Sequence, residues 1–303
     1  MFVAGMSVFV GLDCGGSSSR VLAVDNLGNI VFQGNSGAAN LVSTPEQRLR
    51  RNLDHATQDC PAADYVCGCF AGLVSEDLRL KAEGHLRHLF PKASVRAEPD
   101  YTAAFYASDP GTDICVIAGT GSLVCSRGAG GMLKSGGRGY MLGDYGSGYQ
   151  YGRDALLHYL DNPSGSTGAL RAAVQDIFES TKEGTIVAAV YKSSSPAMLL
   201  GKLAKALAHD AKASEPYALE SVQKNTLELA DVVVKHVQKH LVSQKVLQIS
   251  LAGGIWKAAP IFRDRFASNV QDKLPGTEIV VTRVTRPPLY GAVELAKEMS
   301  IGN

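Results

Sequence analysis

Four glycine-rich turns, each following a segment predicted to be a strand, constrain the fold of this chain most strongly. They span residues 11–19, 117–123, 136–148 and 251–256. Because glycine lacks a Cβ, such turns let the backbone come close to a ligand, and neighbouring hydroxyls can donate to phosphate oxygens. None of them has the G-x-x-x-x-G-K-S/T spacing of a Walker loop. We therefore expect an α/β protein that builds a phosphate site from the ends of its strands.

The composition is typical of a folded chain with two domains. The 303 residues are 45% hydrophobic and 19% charged, and 30 basic side chains nearly balance 29 acidic ones, which argues against a nucleic-acid or membrane partner. No segment approaches the roughly 20 apolar residues of a membrane span, and residues 1–10 lack the basic start of a secretory signal. The six cysteines include no CxxC pair, so we expect buried thiols in a reducing cytoplasm and no cysteine-bound metal.

The order of the predicted elements describes two similar halves. Strands of the first half are predicted at 7–13, 20–25, 30–33, 65–70, 93–97 and 114–118. A strand at 122–126 begins a second cycle, whose middle is helical and includes an amphipathic stretch at about 215–241. Two strand-led halves suggest a duplicated architecture with a cleft between the domains. We place the first domain at 1–118 together with a C-terminal helix at 288–303, and the second at 119–287.

The order of the turns resembles that of a known superfamily. Asp13-Cys-Gly-Gly-Ser17, an acidic residue that opens a helix, Gly119-Thr-Gly-Ser122 and Gly253-Gly254 resemble the phosphate-1, connect, phosphate-2 and adenosine elements of the sugar-kinase/heat-shock-70/actin ATPases. More narrowly, Gly139-Tyr-Met-Leu-Gly-Asp-Tyr-Gly-Ser-Gly-Tyr149 is similar to the family that contains N-acetylglucosamine kinase, glucosamine kinase and the BadF/BadG-type ATPases. The resemblance runs from about residue 8 to 297. It implies two ribonuclease H-like domains that close on ATP–Mg²⁺ and a sugar.

The resemblance places the nucleotide on three of the turns. The expected ATP contacts are Asp13, Gly15, Gly16, Ser17, Ser18, Gly119, Thr120, Gly121, Ser122, Gly253 and Gly254. Asp13 would hold Mg²⁺ through water, because a hydrated magnesium ion accepts carboxylate partners in its outer shell. An ordinary hairpin is the alternative interpretation of the first turn. Trp256, the only tryptophan, is expected to pack in the core rather than to stack on a base.

The resemblance also implies a catalytic carboxylate at the head of the helix that follows the fifth strand, and Asp100 is the matching residue. Phosphoryl transfer to a hydroxyl needs an acceptor for the hydroxyl proton, placed near the γ-phosphate and opposite the magnesium ion. Asp100 could instead serve only as the N-cap of its helix. Glu98 is a rival base, less favoured because the family match falls on Asp100.

The sugar is expected to contact Asn40, Asp100, Arg138, Gly139 and Asp144. Asn40 ends a Gly-Ala-Ala-Asn loop that resembles the family's loop for ring hydroxyls, although Asn40 and Asp144 could both be capping residues. Arg138 stands where many relatives carry Trp, and Tyr145 where they carry Glu. Because arginine binds anions in a bidentate manner, the acceptor could carry a carboxylate, as in a muramic-type sugar. A solvated loop arginine is the alternative.

We therefore expect an ATP-dependent kinase for the 6-hydroxyl of N-acetylglucosamine or glucosamine, acting as a cytoplasmic homodimer. The alternatives are an N-acetylmuramic acid kinase, an ATPase activator that feeds electrons to acyl-dehydratases, and a nucleotide-switched protein of the actin class. The activator needs an iron–sulfur cluster at a subunit interface, whereas Cys67, Cys69 and Cys125 lie in apolar runs that should be buried. His236 and His240, at i and i+4, are expected on a solvated helix face without a metal.

Overall fold

The computed structural model describes residues 7–242 and 244–301, and the chain forms two compact units. The first unit comprises 1–112 and 284–303, and the second comprises 113–283. In chain order the elements are β1 Val8–Cys14, β2 Ser19–Asp25, β3 Ile30–Ser36, α1 Glu46–Thr57, β4 Tyr65–Phe70, α2 Glu76–Leu89, β5 Ser94–Pro99, α3 Asp100–Tyr106, β6 Ile114–Ala118, β7 Ser122–Gly128, β8 Gly131–Gly136, α4 Gly148–Asp161, α5 Gly168–Phe178, α6 Glu183–Lys192, α7 Pro196–Gly201, α8 Ala204–Lys212, α9 Pro216–His240, β9 Val246–Ala252, α10 Ile255–Ala258, α11 Pro260–Lys273, β10 Glu278–Arg283 and α12 Pro288–Ile301.

The first unit contains a five-stranded sheet in the order β3-β2-β1-β4-β5. The strands β1, β2 and β3 form an antiparallel meander, and β4 and β5 continue the sheet parallel to β1. Val10 and Leu12 pack in the core on one face of the sheet, and Phe9 packs in the core on the other, as the two-residue period of a strand requires. Because both faces are covered, β1 is an almost continuous apolar segment.

The C-terminal helix α12 covers the same face of the first sheet as Phe9. A Cβ on Gly11 would lie 2.5 Å from the backbone nitrogen of Val293, and a Cβ on Gly291 would lie 1.9 Å from the carbonyl oxygen of Ala103. Both glycines therefore allow the helix to pack closely, against β1 on one side and α3 on the other. Residues near the end of the chain thus complete the core of the unit that contains its beginning.

The second unit repeats this arrangement. Its sheet has the order β10-β9-β6-β7-β8, with β6, β7 and β8 antiparallel and with β9 and β10 parallel to β6. The expected α/β class with two ribonuclease H-like units is therefore confirmed. The strand β6 belongs to this second sheet, so the division of the chain precedes it, whereas we had placed it in the first domain. Pairing decides the boundary, because the backbone groups of β6 bond to β7 and β9.

His236 corrects our expectation of a solvated helix face. The side chain is fully buried, and its ring nitrogens lie 2.8 Å from the Oγ of Ser135 and 2.9 Å from the Oγ of Ser126. The helix α9 is thus joined to β8 and β7 through one imidazole. Burial, with smaller contributions from His240 and Lys239, lowers the pKa of His236 to about 4. The ring is therefore neutral at neutral pH.

The burial of the six cysteines can be compared with the expected buried thiols. Cys14, Cys67, Cys69, Cys115 and Cys125 are buried, and Cys60 is partly exposed. Within 7–242 and 244–301, no group of three or more metal-ligating side chains lies together. In the same described ranges, no helix is both long enough and apolar enough to span a membrane.

Candidate functional site

The turn between β1 and β2 is closed by a hydrogen bond from the backbone nitrogen of Gly15 to the carbonyl oxygen of Ser18, at 2.8 Å. The Ser19 hydroxyl donates to the carbonyl oxygen of Gly37 and thereby ties the turn to the following loop. Gly16, Ser17 and Ser18 are exposed. The turn therefore presents two serine hydroxyls and an exposed glycine to solvent, and a phosphate-binding turn uses groups of this kind.

Asp13 precedes this turn and is paired with Arg20. The Nη2 of Arg20 lies 2.6 Å from the Oδ2 of Asp13, and the two residues are directly opposite in the β1–β2 register. The Asp13 side chain is 13% exposed. Arg20 is a residue that the sequence analysis did not select, although the strand pattern predicts that it faces Asp13 across the hairpin. One oxygen of the candidate magnesium anchor is therefore engaged by a neighbouring cation.

Asp100 is exposed and is the first residue of α3. Pro99 occupies the N-cap position, and no side chain caps the helix there. The Oδ1 of Asp100 accepts a hydrogen bond from the backbone nitrogen of Tyr101 at 2.9 Å. This bond lies within the first turn, so Asp100 is not the N-cap that we considered as the alternative. An exposed carboxylate at the end of a parallel strand is well placed to meet a ligand.

Glu98, the rival base, has a different environment. Glu98 is buried, and its Oε1 lies 2.6 Å from the Nε of Arg96 and 3.7 Å from the Nη1 of Arg79. Both guanidinium groups lie beside one oxygen of the carboxylate, so Glu98 is held within the protein. Asp100 is exposed and Glu98 is not, so the geometry favours Asp100.

Asn40 has the capping role that we considered as an alternative. Its Oδ1 accepts hydrogen bonds from the backbone nitrogens of Val42 and Ser43, both at 2.9 Å, and its own nitrogen donates to the hydroxyl of Thr44. The amide oxygen of Asn40 thus shapes the loop. The Nδ2 group is the part of the side chain that can still donate to a ligand.

In the second unit, the turn between β6 and β7 rests on the start of α4. The nitrogen of Gly148 donates to the carbonyl oxygen of Gly119 at 2.7 Å, and the nitrogen of Tyr149 donates to that of Thr120 at 3.2 Å. The hydroxyl of Ser122 donates to the carbonyl oxygen of Tyr145 at 2.6 Å. The hydroxyl of Ser122 therefore joins two segments of the unit, whereas Thr120 is exposed and can donate to a ligand.

Asp144 is a buried carboxylate beside this turn. The side chain is 8% exposed, and its residue adopts a left-handed backbone conformation with a φ of 57°. Burial raises its pKa, which hydrogen bonds from the backbone of Gly139 and Ser122 and the charge of Lys134 partly offset. Its Oδ1 has no hydrogen-bond partner among the described residues. The cap of α4 is the side chain of Ser147, so Asp144 is not an N-cap.

The two glycines that follow β9 have different roles. A Cβ on Gly253 would lie 2.2 Å from the carbonyl oxygen of Ala118, and the φ of Gly253 is 108°, so packing and backbone conformation both require this glycine. A Cβ on Gly254 would meet nothing within 4 Å, and the same is true of Gly16 and Gly119. Neither packing nor backbone conformation explains these three glycines, and open space beside them suits a ligand.

Trp256 is buried, and its Nε1 donates to the carbonyl oxygen of Val116 at 3.2 Å, so the residue packs as we expected. Arg138 and Gly139 are exposed on the segment that connects β8 to α4. Gly139 has a φ of 85°, a conformation that favours glycine, and Arg138 lines a cavity of the second unit.

Two units with the same sheet order, each with a glycine turn after its first strand, define the fold of the two-domain actin-like ATPases and sugar kinases. The family model described as the BadF/BadG/BcrA/BcrD ATPase family matches residues 10–296, and this chain belongs to that family. Our recognition of the family is thereby confirmed, and membership implies the use of ATP.

Solved structures with the same fold include two candidate N-acetylglucosamine kinases. The protein from Chromobacterium violaceum is 20% identical, with a TM-score of 0.69 over 96% of this chain and 99% of its own. The protein from Porphyromonas gingivalis is 18% identical, with a TM-score of 0.74 over 94% and 97%. A ROK family glucokinase from Streptomyces griseus, solved with glucose and AMPPNP, is 15% identical, with a TM-score of 0.61 over 96% and 100%. No curated protein sequence gives a significant match.

Proposed function

We propose that this protein is an ATP-dependent kinase that phosphorylates the 6-hydroxyl of an amino sugar, N-acetylglucosamine or glucosamine. The observation that carries the proposal is the position of Asp100 relative to Asp13. Asp13 is in register with Cys69 of β4, and Cys69 with Glu98 of β5, so Asp100 follows at the same edge of the sheet as the first glycine turn. Two strand spacings separate the two strand ends, about 10 Å. A magnesium triphosphate bound at this edge would lie beside an exposed carboxylate.

The residues fit a nucleotide. Gly16, Gly119 and Gly254 leave space where a Cβ would stand, and the exposed hydroxyls of Ser17 and Thr120 can donate to phosphate oxygens. Each of these turns, taken by itself, therefore fits phosphate oxygens of a nucleotide.

Asp13 fits a magnesium ion held through water, because Arg20 pairs with its Oδ2 and its Oδ1 forms no ion pair within the described residues. When bound, Mg²⁺ neutralises charge on the transferring phosphoryl group. Arg20 would keep the Asp13 carboxylate oriented for the water molecules of the ion.

Asp100 would act as the general base. The sugar oxygen forms a bond to the γ-phosphorus, the bond between that phosphorus and the β–γ bridging oxygen breaks, and the hydroxyl proton passes to the Asp100 carboxylate. ADP leaves with the electron pair of the broken bond. Because Glu98 is buried and paired with two arginines, we assign the proton to Asp100 rather than to Glu98.

Asn40 and Asp144 are the polar side chains that we propose for recognition of the sugar. The Nδ2 of Asn40 can donate to a ring hydroxyl, and the Oδ1 of Asp144, buried and without a partner among the described residues, can accept from a hydroxyl or an amide. The balance of 30 basic and 29 acidic residues supports the further proposal that the protein binds neither nucleic acid nor membranes, and the five buried thiols support a cytoplasmic location. We also propose a homodimer, the commonest symmetric assembly.

The test is an ADP-release assay with magnesium ATP and, in separate reactions, N-acetylglucosamine, glucosamine, glucose or no sugar. We expect one amino sugar to stimulate ADP release well above the reaction without sugar, and ³¹P–¹H correlation spectra to place the phosphate on O6. Release that no sugar stimulates would overturn the kinase proposal. Phosphate on another hydroxyl would overturn the assignment of the position.

A further inference from the structure

The helix α6 of the second unit is apolar on both of its sides. Its sequence from Gly184 to Tyr191 contains no charged residue. Ile186 is fully buried in the core of the unit, and Ala189 and Val190 pack against that core. Because an α-helix has 3.6 residues per turn, these three residues share one face of α6. The core therefore takes up only one side of this helix.

The opposite side of α6, which we call the outer α6 face, consists of Gly184, Val187, Ala188 and Tyr191. All four residues are exposed, Val187 by 38% and Tyr191 by 86%. Their spacing of three and four residues places them along one stripe of the helix. The solvent side of a surface helix is ordinarily polar, as in α5, which exposes Arg171. An exposed apolar stripe of this kind marks an interaction surface.

The outer α6 face is complementary to a second copy of itself in an antiparallel arrangement. A two-fold axis that passes between Val187 and Ala188 brings Gly184 level with Tyr191 of the partner subunit, because both lie equally far from the axis. Both residues also lie at the middle of the stripe. A Cβ on Gly184 would meet nothing within 4 Å, so this glycine leaves open space for the ring of Tyr191 of the partner subunit. The same contact would form twice.

The charges at the two ends of α6 favour the same arrangement. Glu183 begins the helix and Lys192 ends it, both are exposed, and neither forms an ion pair within the described residues. An antiparallel pair brings the acidic start of one helix to the level of the basic end of the other, and the two helix dipoles are then opposed. A parallel pair would bring like charges together. The charge pattern therefore fits a second copy of this chain.

We propose that two copies of this chain associate through the outer α6 face, with the two helices antiparallel about a two-fold axis. Each Tyr191 would cover Gly184 of the partner subunit, and Val187 and Ala188 would pack near the axis. The inference names the surface of the homodimer proposed above and rests on that part of the proposed function, whereas the kinase reaction does not enter it. A pair of ten-residue helices is a small interface, so we expect a dissociation constant of about 1–100 μM.

Sedimentation velocity between about 1 and 200 μM protein, a range that spans the expected dissociation constant, tests the surface. The wild type should pass from monomer to dimer within this range, whereas Tyr191→Ser and Gly184→Leu should each need at least about tenfold more protein. Tyr191 is 86% exposed, so its replacement should leave the monomer folded. Leucine at position 184 has room in the monomer and suits a helix better than glycine, but it would fill the space that the ring needs.

A matched control is Leu27→Ser, which removes a large apolar side chain of the first unit that is 76% exposed. This variant should dimerise as the wild type does. A wild type that stays monomeric at every concentration, or dimerisation that survives both α6 variants, would overturn the inference. A monomer that instead sediments with phosphatidylcholine vesicles, and loses this property in Tyr191→Ser, would assign the face to a membrane and would also overturn it.

Cysteine cross-linking tests the antiparallel arrangement. In such a pair, position 184 lies beside position 191 of the partner subunit but about 10 Å along the axis from position 184 of the partner subunit, which is beyond the reach of a disulfide. Under mild oxidation, Gly184→Cys mixed with a Tyr191→Cys chain that carries a larger tag should give mixed disulfide dimers, and neither chain alone should link to itself. The wild type, in which Cys60 is partly exposed, gives the background. Self-linked dimers, or no mixed dimers, would overturn the inference.

The same preparations separate this inference from the proposed function. If an amino sugar stimulates ADP release but the dimer forms through another face, the proposed kinase and homodimer stand and the inference fails. If the dimer and its variants behave as expected but no sugar stimulates ADP release, the kinase proposal fails and the inference stands.

Discussion

The Oδ2 of Asp144 lies 2.6 Å from the position that a Cβ on Gly121 would occupy. The turn between β6 and β7 therefore contains a glycine because a buried carboxylate packs directly against it. Gly121 and Asp144 are 23 residues apart in the sequence, and the matching hydrogen bond from Ser122 to Tyr145 joins the same two segments. The turn and the loop thus form one structural unit.

Gly121→Ala should lower stability because the added methyl group must displace the Asp144 carboxylate. Overpacking of this kind costs about 1–3 kcal/mol, which corresponds to a fall in Tm of roughly 2–10 °C. Differential scanning fluorimetry measures the change. Gly119→Ala is the matched control for folding, because its Cβ would meet nothing within 4 Å, and its Tm should stay within about 1 °C of the wild type. Equal destabilisation by both variants would contradict the argument.

Asp100→Asn should lower the rate of sugar-dependent ADP release by roughly 10²–10⁴-fold, because the amide cannot accept the hydroxyl proton. Asp100 is exposed, so the Tm should change little. Steady-state kinetics and thermal unfolding of the same preparation measure both quantities.

Glu98→Gln is the counterpart of that variant and should show the opposite behaviour. Removing the charge weakens the contacts of Glu98 with Arg96 and Arg79, at a cost of about 1–3 kcal/mol. The folded protein should nevertheless keep turnover within a few-fold of the wild type. If the Glu98→Gln protein folds normally but loses turnover to the extent expected for Asp100→Asn, Glu98 is the base.

Asp13→Asn should raise the magnesium concentration needed for half-maximal ADP release by roughly tenfold or more, as the loss of an outer-shell partner usually does. A magnesium titration at saturating ATP measures this change. Asp25→Asn is a suitable control, because Asp25 is paired with Val8 at the opposite end of the same hairpin and serves the turn at Leu27 and Asn29. This control should lose stability and keep the wild-type magnesium dependence.

His236 predicts a loss of stability in mild acid. Its pKa is about 4 in the folded protein, whereas an unfolded histidine titrates near 6.5, so the unfolded chain binds the proton first. The contribution of neutral His236 to the free energy of unfolding is complete above about pH 6.5 and is lost as the pH falls toward 4. Between pH 8 and pH 5 the free energy of unfolding should fall by about 2 kcal/mol through this residue.

Urea unfolding at pH 8 and pH 5 measures this loss in the wild type, in His236→Gln and in His55→Gln. Glutamine can still bond to Ser126 and Ser135 but does not titrate, so the first variant should lose about 2 kcal/mol less than the wild type between the two pH values. His55 is exposed, and its variant should follow the wild type. Identical pH dependence in all three proteins would refute the assignment.

Much of the candidate site could be predicted because its parts are local. Asp13 and Asp100 each lie at the end of a strand pattern, and strand ends that share an edge of a parallel sheet bring distant residues together. The local pattern of residues could not separate Asp100 from Glu98, because the two lie only two positions apart where β5 gives way to α3, and only the family resemblance favoured Asp100. Their burial and the two arginine partners of Glu98 distinguish them.

The sequence by itself determined the two strand-led halves, the glycine turns and the helical middle of the second half, because these depend on periodicity and on the backbone freedom of glycine. Only the tertiary structure decided the sheet to which β6 belongs, the burial of His236, and the cavity at which Arg138 meets Lys235 and Lys239. The physical reason is that a periodic pattern shows which face of an element is apolar, but not which other element packs against it. Contacts between residues far apart in the sequence decide which elements pack together. The same contacts bring together charged side chains whose proximity the local sequence does not show.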